Sequence, residues 1–142
     1  MNTNDVQNRA DIEAIVGLFY ERMLQDPIVG FIFVDVIKID LQMHLPVIVD
    51  FWFDILFKAT QSPPQTLYRG NTLQKHLAVN ELVSIKPGHF TRWLYLFSNT
   101  IDKLNQGSNA ELMKARAELI AKSISAAITD QKKSQMKLVL PK

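Results

Sequence analysis

The sequence contains no cysteine. That removes disulfides, thiolate-bound zinc, iron–sulfur clusters and a thiol nucleophile. Glycine and proline are sparse, at five and six in 142 residues, so few positions mark sharp turns. No apolar run approaches the roughly 20 residues of a membrane span. The opening residues Met1-Asn2-Thr3-Asn4-Asp5 have neither the basic nor the apolar region of a secretory signal. A formal charge of +2 is too small to imply nucleic acid or another polyanion as a partner. These absences leave a cytoplasmic domain, with no membrane or nucleic-acid partner, as the expectation.

What the chain does have is helical periodicity. Apolar residues make up 47% of it, enough for one substantial core at this length. Asp11 precedes Ile12, Ile15, Val16, Phe19 and Met23, the spacing of an amphipathic helix that Gln25-Asp26-Pro27 brings to an end. Residues 31–37 are short, apolar and β-branched, yet no partner strand is evident, so they read as a helical turn or buried connection. Asp40 is placed to cap a helix with Leu41, Leu45, Ile48, Trp52 and Ile55 on its inner face. His44 shares that face with Ile48, Phe51 and Ile55. Pro46 predicts a kink or an irregular first turn close by.

Residues 61–65 and 68–70 read as turns, and 72–79 as a short helix at most. Pro87 suits the first position of a long helix whose buried face holds Phe90, Trp93, Leu94, Phe97, Ile101 and Leu104, closed by Gly107. Asn109 is placed to cap a last helix, in which Leu112, Leu119, Ile120, Ile124 and Ile128 recur at helical spacing. The reading is all-α. It comprises a flexible segment at 1–10, one domain at 11–129, and a flexible tail at 130–142 made basic by Lys132, Lys133, Lys137 and Lys142.

Histidine occurs only at 44, 76 and 89. His44 and His76 both stand in apolar helical contexts, and two histidines facing each other across a cavity can hold a flat, iron-containing ring. A single histidine on an apolar face is otherwise an ordinary core residue with its nitrogens satisfied. Other histidine chemistries lack their partners here. There is no paired Glu-x-x-His for a dinuclear carboxylate site, no His-Glu-x-x-His, and no Gly-x-Ser-x-Gly elbow. Among the aromatics, Tyr20 and Trp93 each carry a donor that needs a partner when buried. A bound diatomic ligand is one such partner.

An ordered set of segments resembles the group III truncated haemoglobins, from about residue 11 to residue 128. They are Leu18-Phe19-Tyr20-Glu21-Arg22, Phe31-Ile32-Phe33, His44-Leu45-Pro46 with Asp50-Phe51-Trp52, Tyr68-Arg69-Gly70-Asn71, Lys75-His76-Leu77, and His89-Phe90-Thr91-Arg92-Trp93-Leu94 with Leu96-Phe97. The resemblance implies a shortened globin, a two-over-two helical sandwich around haem b. Only ten residues separate Phe33 from His44, too few for the extra helix of a full-length globin.

By the same resemblance His76 is the proximal iron ligand. Tyr20 and Trp93 are distal donors to the bound ligand, His44 holds the distal gate position, and Phe33 packs on the haem face. Ile48 and Trp52 line the distal side, while Arg69, Lys75 and Arg92 are candidates for the haem propionates. Two departures stand out. Residues 79–86 exceed the family's usual proximal loop by about four residues, and Lys86 replaces the usual Ser or Thr cap. His89 therefore remains a rival proximal ligand. The implied activity is binding of O2, CO or NO by a monomer that releases O2 slowly. The alternative is haem-based redox chemistry, NO dioxygenation or peroxidase-like detoxification, served by a reductase.

Overall fold

The computed structural model describes residues 3–32, 34, 40–58 and 85–139, with side chains as far as residue 130. Phe33, Arg69, Lys75 and His76 lie outside the described residues. So do the expected turns at 61–65 and 68–70, the short helix at 72–79 and the loop through residue 84.

Helix α1 (Arg9–Leu24) starts where the Asn8 side chain accepts the Asp11 N–H at 3.0 Å. Its buried stripe is Ile12, Ile15, Val16, Phe19, Tyr20 and Met23, the expected ladder with Tyr20 added. Helix α2 (Leu41–Phe53) is capped as expected by Asp40, whose carboxylate accepts the Gln42 N–H at 3.1 Å. It runs α-helical through Pro46, which is exposed, so the carbonyl that loses its donor can turn to water. The departure from α geometry lies at the other end, where Asp54–Lys58 forms a π-helical turn.

Helix α3 (Pro87–Leu104) has Pro87 at its first position. The missing Ser or Thr cap is made good from inside the helix. His89 Nδ1 accepts the Lys86 N–H at 3.0 Å, while the His89 N–H donates to the Lys86 carbonyl at 2.9 Å. The fully buried residues of α3 are Leu96, Phe97, Thr100 and Ile101, with Trp93, Leu94 and Leu104 packed beside them half-buried.

Helix α4 (Ser108–Val139) buries Ala110, Met113, Ala117, Ala121, Ile124 and Ile128. Of the apolar residues that recur at helical spacing, Leu112 and Leu119 are exposed. Small alanines at the contact let helix axes approach closely, so they line the interface and the bulkier leucines turn outward. The backbone of 130–139, expected as a flexible tail, is helical.

Asn109 does not cap α4 either. Asp5 does: its carboxylate accepts the Asn109 and Ala110 N–H groups, each at 2.9 Å. The Asn109 side chain instead donates to the Val6 carbonyl at 2.7 Å. Gly107, at φ +149°, makes room for this, because a Cβ there would collide with the Asp5 side chain. Val6 is fully buried behind the clasp. Part of the segment expected to be flexible is thereby tied to the α3–α4 junction.

α1 packs on both α2 and α3, α3 packs on α4, and the π turn touches α4. The described residues are helical with no strand, and the architecture is all-α.

Candidate functional site

The site is built where α1, α2 and α3 bring their aromatic residues together. Phe97, 1% exposed, stacks with Trp93 at 5.4 Å and 9° and with Trp52 at 5.2 Å and 23°. Phe19 meets Tyr20, Trp93 and Phe97 edge-on at 5.3, 5.8 and 5.1 Å. Such pairs add roughly 0.5–1.5 kcal/mol each beyond area burial. The wall thus holds α1, α2 and α3 together at the level from which the polar groups project.

Tyr20 Oη lies 2.6 Å from His44 Nε2, with the two rings edge-on at 5.2 Å. The imidazole tautomer decides which of the two donates to the other. Burial pushes the Tyr20 phenol well above the ordinary tyrosine range, so it keeps its proton at any physiological pH. His44 is half-buried and stands at one end of a stripe formed by His44, Ile48 and Phe51 of α2 and Ile55 of the π turn. At the other end, Phe51 and Ile55 face Ile120 and Ile124 of α4 across a cavity of about 460 Å³, which Arg116 and Ser123 also line. An apolar stripe with hydrogen-bonding groups gathered at one end fits a flat, largely apolar prosthetic group carrying a polar ligand.

Two expected residues have other partners. The His89 ring packs on Phe31 at 6.1 Å, and its Nδ1 is occupied as the α3 cap acceptor. In the neutral ring this places the proton on Nε2 and suits His89 to capping rather than to iron. Arg92, a propionate candidate, donates from Nε to Asp26 Oδ2 at 2.8 Å, with Nη2 at 2.6 Å from the same oxygen. Sequence reasoning missed Asp26, treating it only as part of a helix stop. The signal was there, since Asp before Pro after a helix is a common turn opener whose carboxylate accepts downstream N–H groups.

Burial alone would raise the Asp26 pKa. The Arg92 guanidinium and the N–H groups of Ile28 and Val29 outweigh it and hold the carboxyl below its usual value. The contribution of Asp26 is therefore fully present above the unfolded value of 3.8 and lost as pH falls through the lower folded value. Asp26→Asn is expected to lower stability at pH 7, and its deficit relative to wild type should shrink as the pH is taken below 3.8. Urea midpoints across that range are the check; a deficit independent of pH would contradict it.

The fold defined by these helices is that of the truncated globins. The chain matches the crystal structure of a group III truncated hemoglobin from Campylobacter jejuni with a TM-score of 0.75. The match covers 89% of this chain and 95% of that one, at 24% identity. No protein-family model matches the sequence, and no curated protein does.

Proposed function

We propose that the chain holds haem b through His76 and binds O2, CO or NO on the side walled by Tyr20, His44 and Trp93. The observation that carries this reading is the Tyr20–His44 pair, a buried phenol on a half-buried imidazole, set against an aromatic wall in a truncated-globin fold. Haem supplies an iron with a coordination position open to a diatomic ligand. The remaining roles belong to the protein. In this reading Ile48 and Trp52 would line the distal side, Phe33 would pack on the haem face, and Arg69 and Lys75 are the candidates left to hold the propionates, Arg92 being given to Asp26. Tyr20 keeps a proton on Oη, His44 accepts or donates at Nε2, and the Trp93 indole N–H can only donate.

Two charge-assisted bonds at about 1.5 kcal/mol each amount to roughly 3 kcal/mol, about a hundredfold in affinity. Most of such a gain goes into slower release, which suits retention of O2 better than rapid carriage. No helix among the described residues is long and apolar enough to cross a membrane. The reading places a monomer in the cytoplasm, its folded unit extending over residues 4–6 as well as the expected domain.

An absorption spectrum of the reduced protein, expressed with ample haem and recorded with and without CO, tests the proposal. A Soret band that shifts on CO addition is expected, and a colourless protein would sink the reading. His76→Gly should abolish iron ligation, with free imidazole restoring it. If His89→Ala produces that loss instead, the proximal ligand is His89.

A further inference from the structure

We infer that the Asp26–Arg92 pair is a positioning device that sets the distal indole of Trp93. The inference rests on the function proposed above and deepens it. Asp26 is a buried carboxylate, its side chain 3% exposed, and its two oxygens serve different parts of the fold. Oδ2 takes the Arg92 fork at 2.8 and 2.6 Å. Oδ1 accepts the Ile28 N–H at 2.9 Å and the Val29 N–H at 3.2 Å. One side chain thus bolts the turn after α1 to the second turn of α3, one residue before Trp93.

That turn is itself fixed. A Cβ on Gly30 would lie 2.8 Å from the Leu24 carbonyl oxygen, so residues 26–30 are pressed against the end of α1. The guanidinium is held further by the Tyr95 ring, 5.2 Å away.

The contacts of Trp93 explain why such an anchor is needed. Its ring stacks on Phe97 and meets Phe19 edge-on. Both contacts are apolar, and stacked rings slide over one another at small cost, so neither fixes where the indole N–H points. A planar guanidinium on a buried carboxylate is directional, and it fixes the rotation of α3 about its axis at this level. Arg92 and Asp26 act through Trp93 and are not themselves ligand-binding residues.

The test compares Arg92→Lys and Asp26→Asn with wild type, using the C–O stretching frequency of the reduced CO complex and the rate of O2 release. Arg92→Lys keeps the charge and loses the fork. Both variants should move the C–O stretch upward, as a displaced donor leaves the ligand in a less positive field. They should also speed O2 release by roughly threefold to tenfold, the range for one weakened hydrogen bond. Asp5→Asn, which loosens the α4 cap far from Trp93, serves as the stability control. It should lower the thermal midpoint while leaving the C–O stretch in place.

A stretch unchanged in both Asp26 and Arg92 variants would overturn the inference, whatever their stability. If wild type binds no haem, the proposed function falls, and the positioning is read from near-ultraviolet circular dichroism of Trp93 in Trp52→Phe protein. A signal altered by Arg92→Lys supports the inference there, and an unaltered one overturns it.

Discussion

Tyr20→Phe is expected to speed O2 release about tenfold while leaving the fold nearly intact. The phenol oxygen is the only part removed, and the ring keeps its edge contact with Phe19. The loss is one charge-assisted hydrogen bond to ligand, about 1.5 kcal/mol. The stability change should be smaller, on the order of 1 kcal/mol, because His44 is half-buried and can turn to water when Oη is gone. Combining it with Trp93→Phe removes the second donor, and release should then approach a hundredfold faster. Stopped-flow displacement of O2 by CO measures both variants. Unchanged release in the double variant would exclude Tyr20 and Trp93 from ligand retention, even if the protein binds haem.

Phe97→Ala should be the most destabilising single change in the described core. Phe97 is 1% exposed and is the one ring in contact with Phe19, Trp52 and Trp93 together. Truncation leaves a cavity between α1, α2 and α3, and phenylalanine truncations in such settings cost about 3–5 kcal/mol. Denaturant unfolding followed by tryptophan emission reads the loss directly, since both indoles border the void. A cost below about 1 kcal/mol would mean that the wall closes over the gap and is softer than its stacking suggests.

The parts of this fold that were legible in the sequence are the local ones. The stripe of α1, the Asp40 cap and Pro87 at the start of α3 each depend on residues within a turn or two of one another. Tyr20 and Trp93 stood out as donors that need a partner when buried, but their distal roles and that of His44 came only from the family resemblance; Tyr20 and His44 are brought within hydrogen-bond distance. What escaped is what depends on distant residues or on size rather than hydrophobicity. Nothing local marks Asp26 as the partner of Arg92, 66 positions away, or Asp5 as the cap of α4. The spacing of large apolar residues in α4 did not single out its inner face, because alanine is a weak hydrophobic signal although the interface uses it for close approach. His89 stayed open as an iron ligand because the lengthened loop before α3 left the local geometry undetermined, and only the contact of its Nδ1 with the Lys86 N–H shows it as a cap.

The Asp5 clasp bears on the order in which the chain can assemble. Helical proteins fold quickly because most of their contacts are near in sequence. Here the first turn of the last helix depends on a carboxylate 104 and 105 positions upstream. During synthesis that carboxylate leaves the ribosome first and must wait for α4. The clasp is therefore expected to close late, and slowed amide exchange at Asn109 and Ala110 should appear only after the helices have docked.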